Sequence, residues 1–240
     1  ITGSVPIYRE EEVQVPPHKP SRWWWILMVS AGAALTAMTF PGQTAGLSAF
    51  TDPLIGELDI DRTAISLSYL IATLLGALVM PILGRIMDVV GTKRVIITIG
   101  GLLALVLVGA SFITEILGLT VSYVGLRMTG QGALSLAATT LIARSVTHRP
   151  GLALGIVGAV GSMGISLAPL GVERLITLTD IATAWRIEAV MVALIVLPIA
   201  LALPQDVPIT TTATGSRIVI TPEPGHTLPQ ALRTGMFWVI

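Results

Sequence analysis

Residues 63–113 read TAISLSYLIATLLGALVMPIL, GRIMDVVGTKR, VIITIGGLLALVLVGASFI. Two apolar runs, Thr63–Leu83 and Val95–Ile113, flank a short stretch carrying Arg85, Asp88, Lys93 and Arg94. At about 1.5 Å per helical residue, each run is long enough to cross a hydrocarbon layer of about 30 Å. The stretch therefore reads as two antiparallel membrane-crossing helices joined by a tight charged connection. This pattern sets the fold class as an all-α membrane protein.

The rest of the chain repeats it. Of 240 residues, 53% are hydrophobic and 12% are charged, about half the charged share of a soluble domain. Mean hydropathy is +0.83. Further runs extend over Trp23–Phe50, Leu117–Ser145, Gly151–Leu178 and Ala184–Leu203, which makes six expected spans. A fresh apolar run, starting near Leu232 and ending in GMFWVI, reads as the beginning of a seventh in residues 230–240. Residues 1–21 are polar and proline-rich and read as a disordered tail, without a signal-peptide pattern. Residues 204–229, rich in Pro, Thr and Gly, read as a linker between residues 22–203, a six-helix bundle, and whatever follows. The chain starts at Ile1 and stops inside an apolar run, so it reads as a fragment of a longer protein.

Basic residues set an expected orientation. With the amino terminus cytoplasmic, inner segments hold Arg9, Lys19, Arg22, Arg85, Lys93, Arg94, Arg144, Arg149, Arg217 and Arg233. Outer segments hold only Arg62, Arg174 and Arg186. The segment TDPLIGELDIDR (51–62) then reads as an acidic outer loop, and Trp23, Trp24 and Trp25 as anchors at the inner headgroups. The reading is an integral multi-pass protein of the cell (inner) membrane.

Gly84-Arg85-Ile86-Met87-Asp88-Val89-Val90-Gly91-Thr92-Lys93-Arg94 closely resembles the loop signature of the major facilitator superfamily, G-x-x-x-D-x-x-G-x-K/R-K/R, at the matching place. Glycines allow a tight turn, and Asp88 can accept charge-assisted hydrogen bonds from a basic side chain or from helix-start amides. The start of the fourth span, LRMTGQGA, is similar to the family's R-x-x-x-G-x-G pattern, with Gly130 and Gly132 three and five residues after Arg127. More loosely, PGQTAGLSAFTDPL, DRTAISLSYL, RPGLALGIVGAVGSMGISLAP and Ala184-Trp185-Arg186 look like bacterial anion and monocarboxylate porters. The antiporter pattern of the fifth span is only partly present, since Ala168-Pro169 stands where Gly-Pro is expected.

The resemblance implies six transmembrane helices forming one half of a twelve-helix fold, with the start of a seventh. It also implies a central solute site and alternating access between two bundles. Gly84, Asp88, Gly91, Lys93 and Arg94 would act as a conformational-switch loop bridging to the missing carboxy-terminal helical bundle.

Arg127 stands out because it lies inside a span. A charge at mid-membrane costs about 2.5–3.5 kcal/mol on insertion scales, so it should face a cavity or a partner. Either Arg127 binds an anionic solute or biases a proton-linked acid, or it snorkels to the headgroups or caps a neighbouring helix. Gln43, Tyr69 and Gln131 would complete a polar wall, or else serve as interhelical hydrogen bonds. Pro41 and Gly42 would loosen the first span beside Gln43. Gly155, Gly158, Gly161 and Gly164 recur every third residue and are expected to bare one side of the fifth span for close packing or sliding. Met163 and Ser166 are weaker solute contacts, and Glu173 and Arg174 an exposed pair.

There is no cysteine, and His18, His148 and His226 lack ligand spacing, so no metal or cofactor is expected. Zero formal net charge gives no sign of a nucleic-acid partner. No catalytic constellation or nucleotide-binding loop appears, which points away from an enzyme. The expected activity is secondary active transport of a small solute, first an organic anion or monocarboxylate with proton coupling. A multidrug or sugar-type facilitator, and a non-transporting membrane sensor or scaffold, are the alternatives.

Overall fold

A computed structural model describes residues 22–203. The expected tail, linker and seventh-span start lie outside the described residues. The chain runs α1 (Arg22–Ala37), a 3₁₀ turn (Phe40–Gly42), α2 (Thr44–Leu58), α3 (Arg62–Val90) and α4 (Thr92–Ala110). It continues through α5 (Ile116–Leu126), a π-helical stretch (Arg127–Leu134), α6 (Ser135–Ser145), α7 (Pro150–Leu178) and α8 (Ile181–Ala202). Among the described residues there is no β-strand.

Five segments are long and apolar enough to cross a bilayer as they stand: Arg22–Leu58, Arg62–Val90, Thr92–Ala110, Pro150–Leu178 and Ile181–Ala202. The remaining expected crossing, Leu117–Ser145, is helical throughout, beginning at Ile116, but changes hydrogen-bond pattern over the eight residues of the π stretch.

Several expected boundaries move. The first span does not stop at Phe50, and most of the expected acidic loop 51–62 is the last part of α2. Its turn is confined to Asp59–Asp61, where Asp59 takes a left-handed conformation at φ 50°. The Asp61 carboxylate then caps α3 by accepting from the Ala64 amide at 2.7 Å. At the other end, Gly84–Val90 is helix and not a loop, and a Cβ at Gly84 would touch nothing within 4 Å. Only Gly91 turns the chain: at φ 91° it ends α3 and precedes α4, a conformation that glycine alone, lacking a Cβ, takes at little cost.

Three helix pairs dominate the packing, α4 on α8, α1 on α7 and α3 on α5. Leu103, Leu107, Leu126, Leu134, Trp185, Val192 and Val196 fill the centre. Trp185 stacks on Phe50 of α2, ring centroids 3.6 Å apart and 8° from parallel. Gly100 lets Val196 come within contact of the α4 backbone. By contrast, α3 exposes Leu67, Leu70, Leu74 and Leu78, and α7 exposes Leu152, Val160, Met163, Leu167 and Leu170. Such faces suit lipid or another apolar helix surface, not water.

The glycine series on α7 behaves differently from expectation. Gly161 admits Thr36 of α1 and Gly164 admits Ala37, each closer than a side chain would allow. Gly155 and Gly158 face open space. Steps of three residues fall about 60° short of a full turn each time, so the series winds around the helix instead of clearing one side.

Candidate functional site

The site forms where the first crossing breaks. Pro41 lacks an amide and sits in a 3₁₀ turn, so the helical ladder stops at Ala37 and resumes at Thr44. The π-helical Arg127–Leu134 crosses this break with its backbone close against it. Gly42 lies against the Leu126 carbonyl, and a Cβ on Gly130 would sit 2.9 Å from the Gly42 backbone. Two glycines thus place Arg127 directly beside the broken backbone.

Arg127 is 6% exposed. Its Nη1 donates to the Gly42 carbonyl at 3.3 Å and to Thr44 Oγ1 at 3.5 Å, both long for a charged donor. Its guanidinium carbon lies 4.6 Å above the Tyr69 ring, a cation–π contact. Nε has no acceptor, and among the described residues no carboxylate pairs with this charge. The Tyr69 hydroxyl in turn meets Thr44 Oγ1 at 2.6 Å.

Each member of this pair lines a separate cleft, Tyr69 the first and Arg127 the second. One, of about 270 Å³, is lined by Thr44, Ser48, Thr51, Tyr69 and Tyr123 among others. The second, of about 410 Å³, is lined by Thr73, Met80, Arg127, Gln131, Ser135 and Thr139 among others. In the second, the hydroxyls of Thr73 and Thr139 donate to carbonyls of their own helices, leaving lone pairs toward the space. The side-chain oxygen of Gln131 is buried without a donor.

Of the four residues expected to line a solute site, Arg127 and Tyr69 touch, and Gln131 shares Arg127's cleft. Gln43 does not join them; its amide donates to Thr39 Oγ1 at 3.1 Å and steadies the break from within its own segment. Met163 and Ser166 face outward from α7, and Glu173 and Arg174 are exposed without an ion pair between them. Thr44 was not legible as a site residue, since one threonine after a Pro-Gly pair has no distinguishing pattern. Glu188 was also passed over. It is 1% exposed with both oxygens unpartnered, and its signal is plain in retrospect: an acid inside the apolar run of α8.

The expected switch residues occupy one end of the bundle. Asp88 near the end of α3 accepts from Arg144 of α6 at 2.5 Å. Lys93 Nζ donates to the carbonyls of Leu201 (2.8 Å) and Leu203 (2.5 Å), capping the end of α8. Arg94 is exposed. Trp25 adds a strut at the same end, its Nε1 donating to the His148 carbonyl at 3.1 Å, while Trp23 stands exposed.

A profile described as Major Facilitator Superfamily matches residues 33–240. The chain belongs to that superfamily, and is therefore an integral multi-pass membrane protein of a transporter family. Comparison with curated proteins gives no significant match.

Proposed function

We propose that this bundle forms the amino-terminal half of a secondary active transporter that moves a small organic anion, a monocarboxylate first, by alternating access with protons as the coupling ion. On this reading the amino terminus is cytoplasmic, the membrane is the cell (inner) membrane, and a second helical bundle closes the site. The Asp88, Lys93 and Arg94 end serves as its conformational switch, with Gly84 and Gly91 at its two limits.

The observation that carries the reading is the state of Arg127. It is a buried cation with one unsatisfied N–H, two long neutral hydrogen bonds and no anionic partner among the described residues, and it faces a cleft. A carboxylate would supply the missing charge and accept from the guanidinium in the forked geometry suited to it. The hydroxyls around it would also suit a sugar, but a neutral solute would leave the arginine uncompensated.

The test is uptake of radiolabelled monocarboxylates by the full-length protein in proteoliposomes under an imposed pH gradient. A hydrogen bond to a charged group contributes about 1.5–3 kcal/mol, so Arg127→Ala should raise KM roughly ten- to hundred-fold. Arg127→Lys should recover part of the loss, since the charge stays and the fork is gone. Unchanged uptake in a correctly inserted Arg127→Ala protein would refute the role of Arg127. Absence of uptake by the wild type would shift the assignment to sugars or drugs, or to a sensor or scaffold.

A further inference from the structure

Glu188 is the acidic residue inside α8, and neither of its oxygens has a hydrogen-bond partner. It lies on the face of α8 that carries Trp185 and Val192 and packs chiefly on α4, with contacts to α1, α7 and α2. The charged groups of those elements point elsewhere. On α4, Lys93 is held by the carbonyls of Leu201 and Leu203, and Arg94 is exposed. On α2, Asp52 pairs with Arg62 and Glu57 is exposed. Arg22 of α1 and Glu173 and Arg174 of α7 are exposed. Arg186 of α8 itself donates to Ser111 and lies over the Phe112 ring.

An ionised carboxylate in this position would lack water, cation and N–H donor together, an arrangement that proteins avoid by neutralising the group. A neutral carboxyl, with its proton in place, is the form of Glu188 that fits these surroundings. Its surroundings are also linked to the candidate solute site. Trp185, one turn away on the same face, stacks on Phe50 of α2, and its Nε1 likewise has no acceptor. At its other end α2 begins at the break whose Gly42 carbonyl and Thr44 hydroxyl take Arg127. A displacement of α2 would therefore alter the Phe50–Trp185 stack one turn from Glu188.

We propose that Glu188 is a proton-binding site of the transport cycle, loaded while Phe50 and Trp185 are stacked and released when α2 moves away. The inference rests on the reading of the chain as a proton-coupled transporter. The balance is simple: the O–H bond of the Glu188 carboxyl breaks, the proton passes to water on the side then open, and the carboxylate is left hydrated.

Two measurements on the full-length protein test it. Infrared spectra across a pH series read the C=O stretch of a protonated carboxyl directly, with Glu188→Gln as control and Glu188→Leu as a second apolar replacement. The wild type should show a band at neutral pH that disappears in alkali and is missing from both variants. In proteoliposomes, Glu188→Gln should keep monocarboxylate exchange and lose accumulation driven by a pH gradient. A band that is absent from the wild type overturns the proposal. So does a band that persists at every pH while Glu188→Gln still accumulates solute. The infrared measurement needs no solute, so a titrating band with no monocarboxylate uptake supports the proton site while overturning the solute assignment.

Discussion

Replacing Gly42 by alanine should damage stability and transport together. Gly42 is buried at the break in the first crossing. Its added methyl would strike the Leu126 carbonyl oxygen and come within 2.7 Å of the Gln131 nitrogen and 2.9 Å of the Gly130 Cα. All three are backbone atoms, so no rotamer change relieves the clash and the two helical segments must separate. Overpacking of this kind costs about 1–3 kcal/mol, and the absence of a yielding side chain places Gly42→Ala in the upper half of that range. At roughly 2–4 °C per kcal/mol for a domain of 150–250 residues, the unfolding midpoint of the detergent-solubilised protein should fall by about 5–10 °C. Gly101→Ala is the matched control, because a Cβ there meets nothing within 4 Å. Alanine is favoured over glycine in a helix by about 0.8–1 kcal/mol, so that variant should hold or raise its midpoint. The same separation moves the Gly42 carbonyl away from Arg127, so uptake should weaken even at temperatures where Gly42→Ala is folded. Equal midpoints for the two variants would refute the backbone contact as the element that sets the crossing.

Three further outcomes follow from the geometry. Tyr69→Phe keeps the ring beneath Arg127 and loses only the hydroxyl contact to Thr44, so its KM for uptake should rise less than that of Tyr69→Leu; the reverse order would discount the cation–π contact. Lys93→Met removes a cation from the last carbonyls of α8, an interaction typically contributing about 0.3–1 kcal/mol, and should speed amide exchange in the final turn of α8 before other helices respond. The Thr183 hydroxyl, and then its amide, hold the Asp180 carboxyl below the usual carboxylate range. A carboxyl lowered on folding adds stability in full above its unfolded range and loses it as pH falls through the lowered folded value. The midpoint difference between wild type and Asp180→Ala should therefore be constant near neutrality and shrink in acid; a difference that widened in acid would contradict the cap.

The membrane class, the superfamily and the charge of Arg127 were legible in the sequence because bilayer thickness fixes the length of apolar runs and makes one buried arginine conspicuous. Helix ends were not. Once a helix leaves the hydrocarbon, nothing requires it to stop, so α2 continues through Asp52, Pro53 and Glu57 and α3 through Arg85 and Asp88. Charge marked the membrane boundary there and was misread as the end of the helix. The π stretch carries no composition of its own; Gly130 and Gly132 mark a family-like pattern after Arg127 but not a changed hydrogen-bond pattern. Gln43 and Thr44 are adjacent and equally polar, and only the turn at Phe40–Gly42 decides that Thr44 faces Arg127 while Gln43 turns back to Thr39. Spacing alone also could not tell Gly161 from Gly158, because that distinction depends on where α1 lies.

The stack of Phe50 on Trp185 also equips the protein with an optical gauge. Trp185 is fully buried, and its indole N–H has no acceptor, so its emission should lie at the blue end of the tryptophan range. Phe50 belongs to the segment that starts at the Gly42 break, while Trp185 belongs to the helix that packs on α4. In a protein whose other tryptophans, Trp23, Trp24, Trp25 and Trp238 among them, are replaced by phenylalanine, the colour of Trp185 would follow the separation of those two elements in real time, without an attached dye.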